Sequence, residues 1–130
     1  MIAPTVSLQS LHLEYKLWIA ELNFDIEMIR IFEAHLGKIA SINKSNKDVL
    51  SKVEHFQNQF IRQREVIDEL KHDLHTSEVQ LAAFTQEMST VGYDSEKMDN
   101  HSGLRERFLT FRKIFSELKD EFHSFESGVI

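Results

Sequence analysis

The chain has no cysteine, which excludes a disulfide scaffold, a cysteine zinc site and a thiol enzyme. Proline occurs once, at Pro4, and glycine four times, at Gly37, Gly92, Gly103 and Gly128. Residues 38–91 therefore contain neither helix breaker. A β-sandwich or barrel needs a turn signal about every 8–12 residues, so that stretch excludes both and points to long helices. No apolar run approaches the roughly 20 residues needed to cross a bilayer, and no membrane association is expected. The opening MIAPTVSLQS carries neither a basic stretch nor an apolar one of the secretory kind, and the expected location is cytoplasmic. Basic charge is scarce too. Fifteen Lys and Arg against 21 Asp and Glu leave a formal net charge of −6, whereas nucleic-acid binding calls for a basic footprint.

What the chain does have is heptads. With Leu8 at a, helix 1 (about 6–42) places Leu8, Tyr15, Leu22, Ile29, Leu36 and Asn43 at a, and Leu11, Trp18, Asp25, Phe32 and Ile39 at d. Ile19 and Ile26 at e, with Met28 and Ile42 at g, widen the apolar stripe beyond a two-stranded seam. Thr5 or Ser7 is the expected cap. After a short polar stretch, in which Ser45 and Asp48 resemble a capping box, helix 2 (about 46–90) keeps the 4-3 spacing. Its a positions are Val53, Phe60, Ile67, Leu74, Leu81 and Met88; its d positions are Val49, Phe56, Gln63, Leu70, Ser77 and Phe84. The register passes unchanged through Ser77-Glu78-Val79-Gln80, so a single continuous helix is expected. Polar residues and Gly92 mark a loop over about 91–101. Helix 3 (about 102–126) then presents Leu104, Phe108, Phe111, Phe115, Leu118, Phe122 and Phe125 at 4-3 spacing.

These elements give an all-α fold: one domain spanning residues 1–130, an elongated antiparallel up-down-up three-helix coiled-coil bundle with two long helices and a shorter third. A first turn near residues 44–45 sets positions of helices 1 and 2 facing when they sum to about 89. That rule brings Asp25 beside Gln63 and Arg64, and a polar core layer of these three is expected, fixing register at a cost in stability. At 1.5 Å per residue the helices measure roughly 55, 65 and 37 Å. The third then shields only half of the hairpin. Ile29, Phe32, Leu36, Ile39, Val49, Val53, Phe56 and Phe60 would form a bare end, and a homodimer through that end is expected. A helix 2 bent into a compact monomer is the competing arrangement.

Chemistry-bearing motifs are few. The run Asp68-Glu69-Leu70-Lys71-His72-Asp73-Leu74-His75 holds one Glu-x-x-His, the spacing that di-iron bundles use in pairs on inward faces. In the heptad frame Asp68, Glu69, His72 and His75 all point outward, as does Asp120-x-x-His123. A solvated charged face is the expectation, with a surface divalent-metal site at Asp68, Glu69, His72 and His75 as the alternative. His12 and His35 sit at boundary positions. The acidic run Asp94–Asn100 lacks the spacing and glycine of a calcium loop. No phosphate loop, nucleophile elbow or catalytic triad pattern is present. Arg105, Arg107, Arg112 and Lys113 open helix 3 with positive charge, against Glu14, Glu21, Asp25, Glu27 and Glu33 of helix 1. They read as internal complementarity, or else as a docking patch for an acidic protein partner. The function expected is a non-enzymatic, self-associating interaction or scaffold module without a cofactor; the alternative is a small metal- or ligand-binding bundle.

Overall fold

A computed structural model describes residues 8–87 and 95–129, with side-chain detail for 9–83 and 101–129. Three helices make up the fold: α1 (Leu8–Ile42), α2 (Lys47–Glu87) and α3 (Ser95–Val129), with no strand among the described residues. Thr5, Ser7, Met88 and residues 91–94 lie outside the described residues, as do the side chains of Leu8, Phe84 and Asp94–Asn100.

The α1–α2 turn is built by asparagines. Asn43 donates from both its backbone N and its side-chain Nδ2 to the Ile39 carbonyl, at 3.1 and 2.9 Å, closing α1. Asn46 then caps α2, its Oδ1 accepting from the Val49 N–H at 3.2 Å. The cap is thus Asn46 rather than Ser45, because the chain turns once more, Asn46 N to Asn43 O, before entering the helix. Helix α2 continues without a break through Ser77–Gln80.

Cross-helix pairs fix the topology. His12 lies 3.7 Å from Glu78, and the rings of Phe32 and Phe60 are 5.5 Å apart, so α1 and α2 run antiparallel. Glu14–Arg105 and Glu21–Arg112 each join residues 91 apart in sequence, so α3 runs parallel to α1 and antiparallel to α2. The heptad positions form the core: Leu11, Tyr15, Leu22, Ile29, Leu36, Phe60, Ile67, Leu70 and Leu74 are buried, as are Leu104, Phe108, Phe111, Phe115, Leu118 and Phe122 of α3.

The third helix departs from expectation. It begins at Ser95, not near 102, and its 35 residues equal α1 in length. The seven added helical residues carry everything after them about 10 Å further along the bundle. As a result Phe122 reaches the hairpin end, 5.1 Å from Phe32 and 5.5 Å from both Phe56 and Phe60, and Phe125 stacks on Phe56 at 5.2 Å. The expected bare end does not exist. Ile29, Leu36, Ile39, Val53, Phe56 and Phe60 are buried within one chain, and Phe32 and Val49 pack partly buried against them. The interface residues assigned from sequence are core residues of the single chain, since α3 covers them.

Candidate functional site

Three polar side chains are buried among the described residues: Asp25, Gln63 and His101. Buried polar groups are costly unless paired, so each marks a place where the chain departs from simple core formation.

His101 is paired. It lies one three-residue step before Leu104, on the same face of α3, and is 4% exposed. Its Nε2 lies 3.1 Å from Glu14 Oε2 and its Nδ1 3.2 Å from the Tyr15 hydroxyl. The Glu14 carboxylate only accepts and calls for a proton on Nε2, whereas Arg105 Nη2, which only donates, lies 3.3 Å from the same nitrogen, so the two neighbours draw the tautomer in opposite directions. Arg105 donates to Glu14 Oε1 at 2.7 Å. Trp18 stacks on the imidazole at 5.6 Å and on Phe108 at 5.0 Å, sealing the ring from water. Burial lowers the His101 pKa below its ordinary value, opposed by the Glu14 charge and assisted by Arg105. The cluster locks the start of α3 onto α1, and no described cavity reaches the ring. The sequence reading assigned this residue to a loop; the three-residue step back from Leu104 was the signal that could have placed it in the core.

Asp25 is not paired. It is 7% exposed, at the d position expected, yet no hydrogen bond or salt bridge engages its carboxylate among the described residues. Gln63 is buried as expected too, its Oε1 without a partner. The two share no hydrogen bond. Arg64, the third member of the expected layer, is elsewhere: it pairs at 3.1 Å with Glu33. Both stand at e positions flanking the α1–α2 seam, and a long guanidinium reaches a surface carboxylate there without giving up water.

Asp25 instead opens on the groove between α1 and α3. A cavity of about 340 Å³ is lined there by Glu21, Phe24, Asp25 and Met28 of α1 and by Arg112, Phe115, Ser116 and Lys119 of α3. Desolvation raises the Asp25 pKa from 3.8 to about 6; the nearby Glu21 charge adds to the rise, while Lys119 and Arg112 oppose it. Arg112 holds Glu21 in a fork, Nε to Oε2 at 3.1 Å and Nη2 to Oε1 at 3.0 Å. Lys119 has no carboxylate partner among the described residues; its ammonium rests 5.0 Å above the Phe115 ring.

That arrangement follows from a ladder along the α1–α3 seam. Glu14–Arg105 and Glu21–Arg112 are rungs at the same 91-residue separation, and His35 Nε2, which makes no hydrogen bond, lies 3.3 Å from Glu126 at that separation too. The rung between them would join position 28 to Lys119, and position 28 is Met28. No family model, curated protein or solved structure matches the chain. The site is therefore read from its own chemistry.

The metal alternative finds no support in the geometry. Asp68, Glu69, His72 and His75 are exposed on α2, and no group of three or more His, Asp or Glu side chains among the described residues could hold an ion. Glu69 lines a second cavity, about 360 Å³, between α2 and α3 beside Gly103, Arg62 and Arg107. The basic start of α3 is engaged internally: Arg105 with Glu14, Arg112 with Glu21, and Arg107 with Asp73 at 2.7 Å. No helix among the described residues is long and apolar enough to cross a membrane.

One surface feature has no counterpart in the sequence reading. Leu13, Leu17, Phe24 and Ile31 on the outward c and f positions of α1 are 57–66% exposed. With the exposed Ala20 and Ala34 they follow one another at steps of 4, 3, 4, 7 and 3 residues, a second apolar stripe interrupted at Glu27, on a helix whose first stripe is already buried. Assigning one apolar face to helix 1 hid this second face.

Proposed function

We propose that this protein is a non-enzymatic helical-bundle interaction module that self-associates through the outward face of α1. The observation that carries this reading is the second apolar stripe. Single exposed leucines are ordinary, but a row at helical spacing, broken here only at Glu27, marks an association surface. The row from Leu13 to Ile31 is about 27 Å long and about 10 Å wide, roughly 300 Å². A standard interface covers about 800 Å² per partner, so the expected dimer is reversible rather than obligate.

The occupant is a second copy of the chain, held by apolar contact rather than by charge. Of the charges flanking the stripe, Glu14, Glu21 and Arg30 are already engaged within the chain, by Arg105, Arg112 and Glu27. An in-register parallel pair opposes Glu27 to its own copy, whereas an antiparallel pair opposes Lys16 to Arg30, so cross-linking decides the direction.

The absence of cysteine makes the test direct. In a parallel pair, Ala34→Cys places equivalent thiols side by side, and mild oxidation gives a disulfide-linked dimer. An antiparallel pair sets position 34 opposite position 13 and gives none. Sedimentation equilibrium on the unmodified chain should show a concentration-dependent dimer that Phe24→Asp abolishes. A monomer at all concentrations up to about 1 mM, the weak limit of specific association, rules the reading out.

A further inference from the structure

The interrupted ladder leaves two opposite charges facing one cavity, neither in an ion pair or hydrogen bond among the described residues. Asp25 is nine-tenths buried, and Lys119, whose charge acts on Asp25 only from a distance, rests on the Phe115 ring. Glu21 and Arg112, the other charges of the cavity, satisfy each other in a forked pair. The remaining wall is the apolar Phe24, Met28 and Phe115 together with the Ser116 hydroxyl. A buried carboxylate alone is destabilising, and heptad position d would be better filled by leucine. A volume of about 340 Å³ lies at the small end of the range for ligand pockets.

We propose that the α1–α3 groove at Asp25 binds a small zwitterion, an α-amino acid with an apolar side chain. The ligand ammonium pairs with the Asp25 carboxylate, the ligand carboxylate pairs with the Lys119 ammonium, and the side chain packs on Phe24, Met28 and Phe115. Each group of the ligand answers one unmet group of the protein. A simple amine leaves Lys119 unpaired, and a simple carboxylate leaves Asp25 unpaired and buried. Met28 in the ladder is what keeps Lys119 available, because a carboxylate at that rung would hold the ammonium from within the chain. Phe24 borders both this groove and the outward stripe of α1, so ligand and second copy compete for its ring, and the titration is run at a concentration where the chain is monomeric.

The test is a chemical-shift titration of the ¹⁵N-labelled chain with L-phenylalanine and L-leucine. Saturable shifts are expected at the amides of Phe24, Asp25, Ser116 and Lys119. Asp25→Asn and Lys119→Met should each weaken binding tenfold or more. N-acetyl-phenylalanine, which lacks the ammonium, should bind the unmodified chain weakly, and Asp25→Asn should not weaken it further. Phenylalaninamide, which lacks the carboxylate, should bind the unmodified chain weakly, and Lys119→Met should not weaken it further. Asp25→Asn is expected to be at least as stable as the unmodified chain, so circular dichroism and thermal melting separate lost binding from lost folding. No saturable shift with either amino acid up to about 10 mM, beyond the weakest affinity a built site gives, overturns the proposal. So does undiminished binding by either variant, or shifts confined to another face.

Discussion

Phe122 of α3 sets its ring 5.1 Å from that of Phe32 on α1, and this contact decides how far the third helix reaches. Phe122 is fully buried and also meets Phe56 and Phe60 edge-on, so one side chain ties all three helices together near the α1–α2 turn. Phe122→Ala should cost about 3–5 kcal/mol, the range for removing a buried ring without collapse of the site. Phe24→Ala, at an exposed ring of the same size, should change stability by less than about 0.5 kcal/mol. Urea titration of the two variants checks both. A cost below about 1 kcal/mol for Phe122→Ala would mean that α3 does not cover the hairpin end.

Gly103 offers a test of where α3 begins. It lies inside the helix, has no positive φ, and an added Cβ would meet nothing within 4 Å. Gly103→Ala should therefore stabilise by about 0.5–1 kcal/mol, through helix propensity and a less flexible unfolded chain. Gly37→Ala on α1, equally open, should do the same. Were the helix to begin only near residue 102, as the sequence led us to expect, position 103 would lie in its fraying first turn and the alanine would bring little gain there while still bringing one at position 37. Thermal melts of the two variants side by side distinguish these cases.

Much of the architecture was legible because a 4-3 apolar spacing is a direct consequence of helix geometry. Ile29, Phe60, Phe108 and Phe122 were all placed in the core from spacing alone, and all are buried. Burial of Asp25 and Gln63 followed from the same frame. The start of α3 was misread because composition near Gly92 and Gly103 signals a turn, while tertiary contacts of His101 with Tyr15, Glu14 and Trp18 override that local preference. The misplaced start propagated into the interface assignment, since seven residues of helix decide what Phe122 and Phe125 cover. Arg64 was misassigned for a different reason. A summed-position rule locates backbones, but a guanidinium on a long stem reaches the next carboxylate along the seam, here Glu33. The cavity at Asp25 was not legible at all. It requires knowing that Met28 faces Lys119, which only the phase of α3 against α1 determines.

Two buried titratable groups should give the stability a compound dependence on pH. Asp25 is raised from 3.8 to about 6, so between those values the folded chain holds a proton that the unfolded chain has released. Stability is therefore greater below about 3.8 and is lost as pH rises through about 6. The loss is on the order of 1–3 kcal/mol, reduced by water entering the cavity. His101 acts in the opposite sense. Its folded pKa lies below 6.5, so the unfolded chain takes up a proton first and stability falls as pH drops below 6.5. Asp25→Asn removes the first dependence and leaves the second. The variant should exceed the unmodified chain in stability near pH 7, with the difference closing toward about pH 4. A difference that does not vary with pH would show that Asp25 titrates normally.

Met28 is the missing rung of the α1–α3 ladder, and supplying it should have a small, salt-sensitive effect. Met28→Glu places a carboxylate at the separation from Lys119 that Glu14 and Glu21 keep from Arg105 and Arg112. Both positions are half-buried but, like the neighbouring rungs, open to water, and such pairs contribute about 0.2–1 kcal/mol at low ionic strength. The nearby Asp25 carboxylate opposes the new charge, so the net gain should lie toward the lower end. Raising salt to about 1 M, where the screening length falls to about 3 Å, should erase it. Met28→Gln, similar in shape but neutral, should show no salt-dependent gain. Because the new carboxylate engages Lys119 from within the chain, Met28→Glu should also weaken L-phenylalanine binding, while Met28→Gln weakens it less. Equal stability of the Glu and Gln variants at all salt concentrations would show that Lys119 does not face position 28, and would remove the ladder as an account of the cavity.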